Sequence, residues 1–184
     1  LEIVLEASGN TIRIAKFDGH DGAGGTATGE GQIVFDADTG SPYDITLTVQ
    51  NSRLVHRDDF RAEGDGTLRL HGNSGGAALE GNLALSPAYF TIPESSTETQ
   101  ITTVEYTETQ TEGEPVEEEE TPRYIFGLDV ELSLPGKVFV TGPGLESEWD
   151  GKLHIKNTAA DPSIEGVLRV KKGTLDFLGR VFTL

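Results

Sequence analysis

Apolar and polar residues alternate along much of this chain, most regularly between residues 127 and 184. Leu128, Val130 and Leu132 are apolar, whereas the residues between them are polar. A period of two is typical of a β-strand with one dry face and one wet face. The alternation therefore predicts a sheet with one apolar face. It continues at Leu134, Val138 and Val140, at Leu153 and Ile155, at Leu168 and Val170, and at Leu175 and Phe177.

Glycine, proline and aspartate separate these apolar runs and predict turns between short strands. No window of this region has the i, i+3, i+4, i+7 spacing of an amphipathic helix. We therefore predict an all-β protein of short antiparallel strands, joined by short turns without a long crossover. The predicted turns lie at residues 135–136, 142–144, 150–151, 160–162, 165–166 and 172–173.

The first 93 residues predict more strands of the same kind. Two strands are expected within residues 1–14, separated by a hairpin turn at residues 8–10. Alternating apolar residues predict further strands at residues 31–35 and 43–49. The pattern continues at Leu68 and Leu70, at Leu79, Leu83 and Leu85, and at Phe90 and Ile92, with breaks at residues 72–76 and at Pro87.

Three short stretches imitate ligand sites, and each is better explained as a turn. Asp18, His20 and Asp21 carry metal-binding groups, but one cluster without a distant partner is typical of a solvated loop. Residues 22–27 imitate a dinucleotide fingerprint, but no helix follows to face a pyrophosphate. Residues 36–42 resemble half of a calcium loop and lack its closing glutamate, which favours a hairpin turn.

Charge and composition narrow the classes of function. A net charge of −17 and a pI of about 4.4 argue against nucleic acid as a partner, because no basic patch is available to displace phosphate counterions. The same charge disfavours adsorption to anionic lipid headgroups. The sequence contains no run of about 18 apolar residues, so it predicts neither a membrane-spanning helix nor a signal peptide. The chain lacks methionine even at position 1, and we expect it to be a fragment of a longer protein.

The titratable and nucleophilic residues form no recognisable catalytic motif. The chain contains no cysteine, which excludes thiolate nucleophiles and thiolate metal sites. Its histidines, His20, His56, His71 and His154, are far apart in the sequence. A nucleophile elbow, a zinc-binding helix and a phosphate loop are all absent from the sequence. We therefore predict that the protein is not an enzyme and uses neither a cofactor nor a metal.

Residues 94–123 differ in amino-acid composition from the rest of the chain. They hold ten of the 31 acidic residues and one base, Arg123, and threonine fills much of the remainder. Such a segment cannot bury enough apolar surface to offset its ordering entropy. We predict a largely disordered acidic insertion that splits one sheet, so that residues 1–184 form a single domain.

Ordered motifs near the C-terminus carry a family resemblance. They read LDVELSLPGKVFV at residues 128–140, GPGLESEWDGKL at 142–153, PSIEGVLRV at 162–170 and GTLDFLGRVF at 173–182. This set resembles the C-terminal domain of the TamB family, the translocation and assembly module of Gram-negative envelopes. Residues 1–93 resemble it more loosely, through GTLRLHG at 66–72, EGNLAL at 80–85 and FTIP at 90–93. The resemblance does not extend to residues 94–123.

The resemblance implies one long sheet rolled into a half-pipe, a β-taco, with an apolar concave face; a β-sandwich is the alternative. It implies a periplasmic segment of a protein anchored in the inner membrane and partnered by the outer-membrane protein TamA. The groove would conduct phospholipid acyl chains between the two membranes, or alternatively hold unfolded outer-membrane β-strands during assembly. A purely structural sandwich module is a second alternative.

Residues of one strand face are expected to line this groove, where they would contact acyl chains or a client strand. They are Leu68, Leu70, Leu83, Leu85, Leu128, Val130, Leu132, Val138, Val140, Leu153, Ile155, Leu168, Val170, Leu175 and Phe177.

Overall fold

The computed structural model describes residues 1–93 and 124–184, which form a single ten-stranded sheet without a helix. Local alternation of apolar and polar residues explains why each segment is a strand, because one side can be dry while the other is hydrated. The strands are β1 (Glu2–Ser8), β2 (Thr11–His20), β3 (Thr26–Val34), β4 (Tyr43–His56), β5 (Phe60–Asn73), β6 (Gly76–Thr91), β7 (Ile125–Gly142), β8 (Leu145–Thr158), β9 (Asp161–Phe177) and β10 (Arg180–Thr183).

Strand order in the sheet follows the sequence, and the sheet stays open because β1 does not pair with β10. The predicted single sheet is therefore confirmed. Several predicted hairpin turns are also confirmed, including those at residues 8–10 and 36–42. In the second of these, the Asp36 carboxylate accepts hydrogen bonds from the backbone N–H of Asp38 at 3.0 Å and from the Thr39 hydroxyl at 2.8 Å.

One strand pair departs from the antiparallel order. β6 and β7 are parallel, with Gly76 opposite Ile125 and Thr91 opposite Thr141. A parallel pair cannot be joined by a tight turn. The prediction that no long crossover occurs is wrong at this point. The acidic insertion predicted at residues 94–123 lies outside the described residues.

The strands are longer than the sequence predicts. β7 has 18 residues and β9 has 17. The turns predicted at residues 135–136, 150–151, 165–166 and 172–173 are wrong, because these residues lie inside β7, β8 and β9. The break predicted at Pro87 is also wrong, since β6 continues through it.

Glycines inside the long strands allow neighbouring backbones to approach closely. Gly151 and Gly166 have φ values of +155° and +146°, a region that side chains rarely adopt. A Cβ atom at Gly151 would lie 2.2 Å from the Val167 carbonyl oxygen, and one at Gly166 would lie 2.1 Å from the Lys152 carbonyl oxygen. These glycines therefore serve a close contact between strands and not a turn.

Irregular pairings line up across the middle of the sheet and form what we call the crease. A β-bulge bends its strand, and bulges at matching positions in neighbouring strands bend the sheet as a whole. The crease therefore divides the strands into two arms. Its irregularities lie between Val49 and Ser52 in β4, Ala62 and Gly64 in β5, Ala84 and Ala88 in β6, Leu134 and Val138 in β7, and Glu148 and Trp149 in β8.

Burial shows which side of the bent sheet is concave. The buried apolar side chains are Val49, Ala62, Ala77, Ala88, Val130 and Leu134, and the pairing register puts all of them on one face. The strands pack mainly against their neighbours in the sheet, and the described residues form no second sheet over this face. Burial must therefore come from side chains that converge on the same face, as on the inside of a half-pipe. The alternative of two packed sheets is not the fold.

Candidate functional site

The two faces of the sheet have opposite chemistry. Residues directly opposite each other in neighbouring strands share a face. We call the concave side the apolar face and the other the polar face. Two rows of residues run across the strands of the apolar face: Ile14, Gly31, Ile45, Leu70, Leu79 and Leu128 in the first, and Phe17, Gly29, Leu47, Leu68, Gly81, Val130 and Ile155 in the second.

All the groove residues predicted from the sequence lie on the apolar face. Leu68 shares a row with Val130 and Ile155, and Leu83 shares the next row with Leu132 and Leu153. Exposure of these side chains differs widely. Val130 is 6% exposed and is buried beneath its neighbours on the apolar face, whereas Phe177, near the end of β9, is 60% exposed.

Sequence reasoning missed part of this face in the N-terminal strands. Ile14, Ile45, Leu47 and Leu79 show the same alternation as the predicted residues and could have been found from it. Phe17 could not, because an irregular pairing between Ile14 and Phe17 changes which residues of β2 face inward.

Ion pairs join neighbouring strands on the polar face. The Arg69 guanidinium binds the Asp44 carboxylate at 2.6 Å and lowers its pKa, and the Lys156 ammonium lies 2.9 Å from Glu165 and lowers the pKa of that carboxyl. His154 contacts Asp129 on the same face. These groups are largely exposed, so solvent screens them and they contribute little to stability. They keep this face hydrated.

A concavity of about 380 Å³ lies on the apolar face where β2 to β6 cross it. We call it the slot. Its side chains come from the two rows described above, and they include no ionisable group, because Glu30 and Thr46 border it from positions whose side chains lie on the polar face. The slot is lined by Ile14, Phe17, Gly29, Ile45, Leu47, Leu68, Leu70 and Leu79.

The other arm is more filled by its own side chains near β5 and β6. Ala62 and Ala88 lie opposite each other and are each 2% exposed. The next pair along the same face is Phe60 and Phe90, whose rings meet edge to face with centroids 6.2 Å apart. The large rings of Phe60 and Phe90 lie beside Ala62 and Ala88, so the burial of the two alanines does not require a second sheet.

Trp149 is the sole tryptophan of the chain and lies on the apolar face at the crease. It is opposite Val138 on one side and Val170 on the other. The indole N–H donates to the Ser147 hydroxyl at 2.8 Å, and that hydroxyl donates to the Val140 carbonyl at 3.1 Å. Because the polar atom of the ring is satisfied within β8, the rest of the ring can belong to an apolar surface.

The family model of the TamB C-terminal domain matches residues 15–184. The chain belongs to the TamB C-terminal domain family. Neither a curated protein nor a solved structure matches the chain. TamB proteins are transport and assembly modules of the Gram-negative envelope, so this is a TamB-like chain involved in outer-membrane assembly and associated with its machinery.

Among the described residues of this TamB chain, no helix has the length and hydropathy that crossing a bilayer requires. The same residues contain no group of three histidine, aspartate or glutamate side chains close enough to hold a metal ion. Of the residues considered as metal ligands, His20 lies 3.6 Å from Asp18, at the end of β2.

Asp21, also considered as a metal ligand, instead organises the turn between β2 and β3. Its carboxylate accepts backbone N–H bonds from Ala23 at 2.7 Å, from Gly25 at 2.9 Å and from Arg53 at 3.0 Å. These donors, together with the Arg53 charge, lower the pKa of Asp21 to about 2. In this TamB chain the carboxylate therefore ties the turn to β4.

Proposed function

We propose that this chain is a periplasmic segment of an inner-membrane-anchored TamB-like protein, and that its apolar face conducts phospholipid acyl chains between the inner and outer membranes. The observation that carries the proposal is a concave apolar face that crosses consecutive strands and has no layer of the described chain packed over it. An outer-membrane partner similar to TamA would be engaged by parts outside this chain. Residues 1–184 would form one segment of the half-pipe.

Hydrocarbon is the guest that such a face binds best. Each CH₂ group moved from water onto it contributes about 0.8 kcal/mol, whichever lipid it belongs to. Binding of this kind has no strong preferred register, so a tail can slide along the rows. The net charge of −17 disfavours anionic headgroups, so the tail and not the headgroup would be held.

Contact with lipid would be shared by the accessible residues of the set predicted from the sequence and by those of the slot. The predicted set differs in accessibility, which ranks the positions for experiment. Val130 is too buried to meet a guest directly, whereas Leu68 is partly exposed and borders the slot. We therefore choose Leu68 as the test position.

A photo-reactive amino acid at Leu68 should capture phospholipid from vesicles, and one at Arg69 should not. The two residues are adjacent in β5 but lie on opposite faces, so the pair controls for expression, strand stability and general membrane adsorption. Phospholipid adducts of the purified protein are measured by mass spectrometry. Equal labelling at both positions would contradict the proposal.

A second candidate function is the holding of unfolded outer-membrane β-strands. The outer edge of β9 favours it, because from Asp161 to Lys172 no strand of the described chain pairs with that edge. Ile164 and Val167 beside this edge are 62% and 54% exposed. An unpaired edge of this length can accept an added strand through backbone hydrogen bonds. This function predicts that a peptide with alternating apolar residues is cross-linked from Val167 more efficiently than phospholipid is.

A further inference from the structure

One glycine of β3 lies in the floor of the slot, and a second lies in the next row of the apolar face. Gly29 lies between Phe17 of β2 and Leu47 of β4, and Gly31 lies beside Ile45 in the next row. Glycine has no side chain, so the surface is lowest along β3 and rises on both sides. Both glycines are on the apolar face, and the concavity of about 380 Å³ includes Gly29 in its floor.

The chemistry of the slot favours a hydrocarbon chain over a peptide strand. β3 is paired on both sides, so the backbone N–H and C=O groups of the floor are engaged by β2 and β4. The side chains around the floor are aliphatic or aromatic. A peptide strand would bring its own N–H and C=O groups against this surface, where they would find no partner. An acyl chain is uncharged, as the slot is, and has no such groups.

The dimensions of the slot fit one acyl chain lying across the strands. It extends from β2 to β6, which at about 4.8 Å per strand spacing gives a length of roughly 19 Å. One leaflet of a bilayer has about 15 Å of hydrocarbon, half of the roughly 30 Å core. The slot is therefore long enough to hold a single tail of that length, and the direction of the tail would follow the two apolar rows.

We propose that the slot binds a single acyl chain and that Gly29 sets the depth of the slot, an inference that rests on the proposed function. A Cβ atom at Gly29 would make ordinary contact with Phe17 Cβ at 3.5 Å and Leu47 Cδ1 at 3.6 Å, and would lie 3.0 Å from the Thr46 carbonyl oxygen. A Cβ atom at Gly31 would lie 2.5 Å from the Asp44 carbonyl oxygen. Gly29 is thus the glycine at which the slot can be filled with less backbone displacement.

The experiment places a photo-reactive amino acid at Leu47, inside the slot, or at Val170, on the same face but outside it. Val170 is 37% exposed and lies on β9. Each version is combined with Gly29→Leu and exposed to phosphatidylcholine vesicles. Gly29→Leu should reduce lipid adducts at Leu47 by at least about tenfold, because each displaced CH₂ group alone weakens binding about fourfold. Adducts at Val170 should change less than about twofold.

Leu68→Trp provides a second way to fill the slot without changing the glycine backbone. It should give the same loss at Leu47, and circular dichroism identifies any variant that fails to fold. Undiminished adducts at Leu47 in a folded filled variant would overturn the role of the slot. Adducts at Val170 but not at Leu47 in the parent protein would overturn this inference alone. An absence of adducts at both positions in the parent would overturn the proposed function.

Discussion

The hydroxyl groups of Tyr43 and Tyr124 lie 3.0 Å apart, although β5 and β6 separate β4 from the strand that follows Tyr124. Three strand spacings of about 4.8 Å lie between their backbones. On the face that carries Tyr43, the residues that lie between the two tyrosines are Gly72 of β5 and Ala77 of β6, so the largest group beneath the contact is a methyl group. The hydrogen bond therefore joins the part of the sheet before residue 94 directly to the part after residue 123.

Removing this contact should change the titration of Tyr43. The hydrogen bond with Tyr124 is the main cause of a raised pKa at Tyr43. A raised folded-state pKa adds stability that is full below the unfolded value of about 10 and is lost as pH rises through the folded value. Tyr124→Phe should return the pKa of Tyr43 towards about 10 and remove that part of the alkaline stability loss. NMR titration of Tyr43 checks this, and an unchanged Tyr43 pKa would contradict the contact.

Asp21 should govern part of the acid response. Its folded-state pKa of about 2 lies below the unfolded value, so the stability that it contributes is present above about pH 4 and is lost as pH falls towards 2. Asp21→Asn should be less stable at neutral pH and should show a shallower loss of stability between about pH 4 and 2. Urea unfolding at a series of pH values measures both. Parallel stability curves for the two proteins would show that the carboxylate is not the responsible group.

Gly151 should tolerate a side chain much less well than Gly127 does. Gly151 combines a φ of +155° with a carbonyl oxygen 2.2 Å from the position of its missing Cβ, whereas the nearest atom to a Cβ at Gly127 is 3.6 Å away. We expect Gly151→Ala to lower the free energy of unfolding by about 2 kcal/mol or more, and Gly127→Ala by less than about 1 kcal/mol. Urea denaturation of the two variants provides the comparison. Similar losses would mean that Gly151 occupies an ordinary strand position.

Two residues of one apolar row test the concave shape of the sheet. Val130 is 6% exposed and Ile164 is 62% exposed, although both lie in the row that passes through Ile155. Val130→Ala should cost about 1–3 kcal/mol of unfolding free energy because it leaves a cavity. Ile164→Ala should cost less than about 0.5 kcal/mol because its side chain is hydrated. A flat sheet would give both changes a small effect, and thermal unfolding distinguishes the two cases.

Alternation identified the apolar face because a period of two is a local property of a strand. Leu128 and Leu132 lie on the predicted face for this reason. The same local signal contains no information about the direction of strand pairing, so it could not predict that β6 and β7 are parallel. It also fails wherever a bulge changes the alternation, as it does between Ile14 and Phe17.

Strand length was mispredicted because glycine occurs both in turns and inside strands where two backbones approach closely. The neighbouring residues look the same in both cases. Asp150 and Gly151 have the composition of a turn, yet they lie within β8. What decides between the two uses is the Val167 carbonyl oxygen of the neighbouring strand, which is distant in sequence. Asp21 is similar, since its bond to the Ala23 N–H is local whereas its bond to the Arg53 N–H depends on β4 lying beside the turn.

The central claim is that hydrocarbon lies on the apolar face, and the fluorescence of Trp149 tests it most directly. Trp149 is on that face, and Tyr89 is on the polar face and 49% exposed, so a Trp149→Phe, Tyr89→Trp variant moves the only tryptophan across the sheet. We predict that phospholipid with brominated acyl chains quenches the parent protein saturably and leaves the variant unquenched. Equal quenching of both proteins, or of neither, would contradict the account.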